Sequence, residues 1–319
     1  MSGMTTGNVS LLTRAEVWSR ELKEILRDEL MAQSYVRWLQ DFPDGDTFKI
    51  PSIGQAYVDD YVEDEAVKYR PLDTGQFTFQ INEYLSSGTY VTKKAEQDMF
   101  YMNELVSRFV PEQERALMEH VEEAILGLQS QQTAGNANTI NGAPHRYAAK
   151  GSGGVMAVED FARANLSLNK ANVSANNRVA IVDPSVAYTI ETQTNLSSIQ
   201  NNPMFEGIVS TGIATGMRFV RNVYGFDVYT SQRLATIVTE TLTLGDGTGS
   251  ASRAGYKANL LFSADGAVTP FIGAWRQMPE VDTEYNKDFQ RTEFVTTARY
   301  GVKLYRPENL VTILSNPAV

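Results

Sequence analysis

The residues able to do acid–base, nucleophilic or metal chemistry are few, and their spacing suits none of it. Cysteine is absent, which removes disulfides, thiolate nucleophiles and thiolate metal sites. The two histidines are His120 and His145. His120 lies beside Glu119 and close to Glu122–Glu123 in a helical pattern, where a solvated position is expected. His145 stands next to Arg146 in a stretch rich in Gly, Ala and Asn, and no G-x-S-x-G elbow is present to supply a nucleophile. The run "GDGTGS" (Gly245–Ser250) lacks the lysine of a phosphate loop, and a flexible hairpin tip accounts for it better. "DFPDGD" (Asp41–Asp46) lacks the oxygen spacing and terminal glutamate of a calcium loop and reads as a turn. "DDYVEDE", with Asp59, Asp60, Glu63, Asp64 and Glu65, has the charge to attract a cation, but a solvated face is the ordinary outcome of such a run. No catalytic residue, cofactor or metal ligand is assigned.

The whole chain narrows the class further. Its 319 residues suffice for two domains or one large one, and with 42% hydrophobic and 21% charged residues a folded core is expected. A net charge of −10 argues against nucleic-acid affinity that rests on phosphate neutralisation. No run approaches the roughly 18 apolar residues of a membrane span. The opening "MSGMTTGNVS" has neither a basic region nor an apolar core, so no signal peptide is expected. A soluble, acidic protein follows from these features.

With no site to position, the elements themselves become the unusual features. "RAEVWSRELKEILRDELMAQSYVRWLQ" carries Val17, Leu22, Ile25, Leu26, Leu30 and Met31 at helical spacing after a Thr13–Glu16 capping box, and Phe42–Gly45 stops it. Phe48 and Ile50, then Phe77, Phe79 and Ile81, alternate with polar residues as in two strands with one apolar face. Between them lies a long acidic stretch, and "GTYVTKK" closes the hairpin. An isolated hairpin is marginal in water, so this one must pack against something. From Ala95 to about Gln132 a stripe of Met99, Met102, Val106, Phe109, Leu117, Val121, Ile125 and Leu128 predicts a spine about 50 Å long, with Pro111 inside it as a kink. The stripe resumes in phase beyond Pro111, so one bent helix, or two nearly in line, is expected.

"TAGNANTINGAPHRYAAKGSGG" reads as a loop or domain boundary. Beyond it come a short helix ("VEDFARANLSLNKANV"), a buried strand turning at Asp183–Pro184 ("RVAIVDP"), a strand pair ("FVRNVYGFDVYTS"), a hairpin around Gly245–Ser250, and strands at "ANLLF" and "VTPFIGAW". The C-terminal "RTEFVTTARYGVKLYRPENLVTIL" places Phe294, Ala298, Tyr300, Val302 and Leu304 on one face.

This order of elements resembles the major capsid proteins of tailed bacteriophages, which share the Hong Kong 97 fold, over nearly the whole chain. No single motif carries the likeness; the ordered set does. The resemblance implies an α+β fold with an N-terminal arm (residues 1–43), an extended E-loop (44–94, sides "FKIPSIG" and "GQFTFQI"), a spine helix and first part of the P-domain (95–154), an axial A-domain (155–276) and returning P-domain strands (277–319). It implies a structural, non-enzymatic protein that self-assembles as hexamers and pentamers into the icosahedral head enclosing double-stranded DNA. Such a protein is assembled in the host cytoplasm and resides in the virion, with no membrane partner and no sequence-specific DNA contact.

In such shells the E-loop lies across a neighbouring subunit. The resemblance therefore makes Phe48, Ile50, Phe77, Phe79, Ile81, Asp59, Asp60 and Asp64 candidates for a subunit interface. About forty residues precede the E-loop here, too few for a fused scaffolding segment, so a separate scaffolding protein is expected, along with a portal and decoration proteins. Some relatives crosslink an E-loop lysine to a P-domain asparagine. Lys49, Lys68, Lys93 and Lys94 face Asn286 or Asn309 as candidates, but no motif selects a pair and no crosslink is expected. An encapsulin-like compartment shell and an enzyme with an unrecognised site are the rival readings.

Overall fold

A computed structural model describes residues 30–39, 47–53, 58–61, 63–64, 66, 74–98, 102–192, 219–244, 249–266 and 268–317. In chain order the strands and helices begin with β1 (Val36–Leu39), β2 (Thr47–Ile53), β3 (Thr74–Gln80), β4 (Glu83–Thr92), α1 (Lys93–Asp98) and α2 (Met102–Gly127). Four short strands and two helices follow: β5 (Thr139–Ile140), β6 (Ala143–Pro144), β7 (Arg146–Ala148), α3 (Val158–Lys170), β8 (Arg178–Val182) and α4 (Pro184–Thr192). The remainder is extended: β9 (Phe219–Val223), β10 (Phe226–Thr230), β11 (Glu240–Thr243), β12 (Ser250–Arg253), β13 (Lys257–Ser263), β14 (Phe271–Asn286), β15 (Arg291–Leu304) and β16 (Leu310–Ser315).

Two sheets organise these strands. One has the order β1-β14-β15-β4, built on the long antiparallel pair β14–β15; the other has the order β7-β16-β13-β8-β10-β9. The second sheet is covered on both faces, which is why "VAIV" of β8 is an unbroken apolar run and every residue of the strand, Arg178 included, is buried. On one face Ala180, Val182, Leu261 and Ile313 meet Phe161, Ala164 and Leu168 of α3 and Val186 and Ile190 of α4. On the other, Val179, Ile181, Leu260 and Phe262 join Val121, Ile125 and Leu126 of α2 together with Phe271, Tyr300 and Leu304 of the first sheet. The spine helix thus belongs to a core shared by both sheets. No helix among the described residues is long and apolar enough to cross a membrane.

Pro111 lies inside α2 without ending it, so the expected single spine is found from Met102 to Gly127, extended by a 3-10 turn at Leu128–Gln131. Pro111 is exposed, so the carbonyl of Ser107 that loses its donor can turn to water. The apolar stripe is buried from Leu117 through Val121, Ile125 and Leu128. Met99 lies outside the described residues.

Several expectations are corrected. The arm helix does not run to Leu39: Ala32–Tyr35 is a 3-10 turn and Val36–Leu39 is a strand, paired parallel with Phe271–Ala274 of β14. Val17 to Leu26, Thr13 and Glu16 lie outside the described residues. The "GTYVTKK" strand pairs with β15 rather than with the hairpin. The Gly/Ala/Asn-rich stretch is no linker. His145, Arg146, Tyr147, Ala148 and Ala149 are all buried, and β7 adds to the edge of β16. Asp183–Pro184 opens a helix, since Asp183 Oδ2 accepts the backbone N–H (3.1 Å) and hydroxyl (2.6 Å) of Ser185, an N-cap with proline in the first turn. β16 pairs in the six-stranded sheet, whereas β14, from Phe271, pairs in the four-stranded one.

Candidate assembly surfaces

The paired strands β2 and β3 carry the predicted apolar face in register: Phe48 opposite Phe79 and Ile50 opposite Phe77. Their root is seated within this chain. Phe79 and Ile81 are 0% and 3% exposed and pack on Ile272 and Ala274 of β14. Of the two surfaces that could bury Phe79 and Ile81, a neighbouring subunit or the P-domain beneath the hairpin, it is the sheet beneath that covers them in this chain. Contact there is backbone to backbone. A Cβ at Gly301 of β15 would stand 2.6 Å from the Gln80 carbonyl oxygen and 2.9 Å from Ile81 Cα, so any larger residue lifts the hairpin. Lys303 Nζ donates to the Thr78 carbonyl at 2.8 Å and lies 5.0 Å from the centre of the Phe77 ring, which meets Tyr305 edge-on at 5.0 Å.

Beyond the root, the burial stops. Phe48, Ile50 and Phe77 are half-buried. Between the two strands, Val58 and Tyr61 are 95% and 79% exposed among the acidic residues Asp59, Asp60 and Asp64, which are exposed too. Glu65 lies outside the described residues.

The arm is seated by a residue that the sequence did not flag. Glu122 of α2 is 1% exposed, and its carboxylate accepts the backbone N–H groups of Met31 (3.0 Å) and Ala32 (2.8 Å). Burial pushes its carboxyl up, against the opposing pull of those N–H groups and of Arg233. Arg233 in turn pairs with Glu119 (3.1 Å) and Glu123 (2.9 Å) on the same helix. Farther along the arm, Trp38 stacks on Trp275 at 5.2 Å and fills the space a side chain at Gly273 would need.

Of the residues singled out for chemistry, His120 is exposed, with Nδ1 3.3 Å from the Tyr300 hydroxyl. His145 is fully buried, its Nδ1 3.1 Å from the Ala143 carbonyl oxygen. Burial lowers its pKa from the ordinary 6.5, so the ring is held neutral, while the nearby Glu308 opposes the shift. The sign is then fixed: the unfolded chain binds the proton more readily, so this contribution to stability is present above about pH 6.5 and is lost as pH falls. Thermal melts of the unassembled subunit between pH 7 and pH 5 should show His145→Gln losing less stability than the unmodified chain over that range. Raised carboxyls at Glu122 and Asp160 work the other way in both proteins, so equal losses would remove His145 as the cause. Among the described residues no group of His, Asp and Glu is arranged to hold a metal. Asn309 is buried with its amide donating to the Ser263 and Val268 carbonyls, which takes it out of reach of an exposed lysine.

Two sheets sharing a spine, a strapped arm and a hairpin seated only at its root define a shell-building protein of the Hong Kong 97 fold. The model of the family described as phage capsid protein matches residues 76–313, and the chain belongs to that family. Among solved structures, the capsid of the cyanophage P-SCSP1u is similar at a TM-score of 0.69 and 15% identity, over 98% of this chain and 95% of that one. The mature capsid of bacteriophage PhiM1 gives 0.66 and 8%, over 98% of both chains. The capsid of a native GTA particle gives 0.65 and 10%, over 99% of both. No match is found among curated proteins. The protein is a structural component of the phage head, where it forms the capsid.

Proposed function

We propose that the chain builds the head as rings of six and five copies tiled into a closed icosahedral shell, and that the β2–β3 hairpin is the E-loop that reaches a neighbouring subunit. The half-buried Phe48, Ile50 and Phe77, with Val58 and Tyr61 open beyond them, carry this reading. An apolar face of this kind recurs in every copy, and closed symmetry buries it everywhere at once. In this reading the arm spans 1–43, the E-loop 44–94 and the first P-domain segment 95–154. The A-domain spans 155–276 and the returning P-domain strands 277–319. The protein does no enzymatic work. A separate scaffolding protein, a portal and decoration proteins are its partners, and DNA is enclosed without sequence-specific contacts, in keeping with the net charge of −10.

Light scattering and electron microscopy of the protein expressed with its scaffolding protein test the proposal. Closed shells are expected, and a compact monomer would overturn it. The acidic segment supplies a second test. Exposed ion pairs are worth about 0–1 kcal/mol each, but a shell repeats each contact in every copy. Changing Asp59, Asp60 and Asp64 together to Asn should flatten the salt dependence of assembly if the segment meets basic groups of a neighbour. An unchanged salt series would assign it to water.

A further inference from the structure

The apolar contacts of residues 31–39 are non-directional: Ala32 and Val36 are buried with Met31, Tyr35 and Trp38 packed beside them, and any of several alignments would cover a similar area. The strand they lead into is only four residues long and lies at the edge of its sheet, so little in its own pairing fixes its register. Register nevertheless has consequences at the other end. Trp38 stacks on Trp275 on one side of the sheet, while Leu39 packs with Phe79, Ile81 and Ile272 under the hairpin root. A slip of one residue would exchange those two faces, removing Leu39 from the hairpin seat and pushing the Trp38 ring against it. Besides the backbone pairing of β1 on β14, one contact in the segment is directional and buried. The Glu122 carboxylate caps the first N–H groups of the 3-10 turn at Ala32–Tyr35 from a different element. A carboxylate with 1% exposure is tolerated only while those donors stay in place.

We propose that Glu122 is a positioning residue for shell assembly: it locks the register of β1 on β14 and, through Leu39, the seat of the β2–β3 hairpin. This rests on the hairpin being an assembly element. Glu122 does this by anchoring the Met31 and Ala32 N–H groups at the start of the 3-10 turn, so that the chain enters β1 from one fixed point on α2. The positions of Glu119, Glu123 and Arg233 around the spine make the lock part of the contact between α2 and the six-stranded sheet.

Glu122→Gln and Glu122→Met, made in the full chain, test the assignment by hydrogen exchange and electron microscopy. Gln keeps one acceptor and Met keeps the volume. In both, the Met31–Gln33 amides should exchange roughly tenfold faster while the Val121–Leu126 amides of α2 keep their protection. Shells formed with the scaffolding protein should be open or irregular. Rescue is expected with neither variant, and Met, which leaves the buried Ala32 N–H without its acceptor, should also lower the melting temperature. Unchanged arm protection and normal shells in Glu122→Met would overturn the proposal. So would joint loss of protection in arm and spine in both variants, since Glu122 would then be an ordinary core group. If the unmodified protein itself forms no shells, the shell reading fails, and the arm amides still decide whether Glu122 sets the register.

Discussion

Arg146→Ala is expected to destabilise the subunit by about 3–5 kcal/mol, because it leaves a buried carboxylate without its partner. Arg146 Nη2 and Nε reach the two oxygens of Glu240 at 2.6 and 2.8 Å, and the guanidinium also donates to the side chain and backbone carbonyl of Gln129. The Arg146 side chain is 4% exposed and that of Glu240 is 12% exposed. The hydrogen bond from Arg146, aided by the Gly135 N–H, holds the Glu240 carboxyl below its ordinary value. Its stabilising effect is therefore present above the ordinary carboxylate pKa and lost as pH falls through the folded value. Urea denaturation of the unassembled subunit measures the loss. Arg146→Met combined with Glu240→Leu should recover most of it, since the two charges leave together. If the single variant costs under about 1 kcal/mol, the bridge is solvated in solution.

Phe79→Ala is expected to cost about 3–5 kcal/mol, as for a fully buried phenylalanine. The loss should fall on one docking contact. Its cluster is a satellite made of Phe79, Ile81, Ile272 and Ala274, separate from the spine core. Hydrogen exchange should speed up in Thr74–Gln80 while Leu117–Leu126 stay protected, and assembly should fail because the hairpin has lost its seat. Phe48, half-buried opposite Phe79, gives the contrast. Phe48→Asp should change subunit stability by about 1 kcal/mol or less and still impair assembly. Equal effects of the two substitutions on stability would place the whole hairpin face in the core.

What was legible in the sequence is what periodicity encodes. The α2 stripe, the alternation of β2 and β3, the amphipathic α3 and the buried run of β8 all appear where the pattern put them. The misses share a cause. Val36–Leu39 follows a helical pattern but is drawn into a strand by β14, a partner remote in sequence, and only the β-preferring Tyr35, Val36 and Trp38 hinted at it. The stretch around His145 looked like a linker because its small residues carry no period, yet small residues are what let β7 lie against the core. The alternation of Phe77, Phe79 and Ile81 identified an apolar face without saying whose surface covers it. Glu122 and Arg146 were passed over because a charged residue shows its burial only through its partners, and those lie on other elements.

The strand pairings also set a timetable. β1 is completed by β14, and β7, β8 and β13 share one sheet with β16, so early segments wait for the last ones. Loop-closure entropy must be met before such distant pairings stabilise anything, which makes folding slow and leaves strand edges uncovered meanwhile. On the ribosome, the six-stranded sheet cannot close until Leu310–Ser315 have emerged, and until then β13 presents an open edge that carries Leu260, Leu261 and Phe262. A newly made chain therefore keeps that edge open to competing chains until β16 emerges, and β16 both completes the sheet and withdraws the edge.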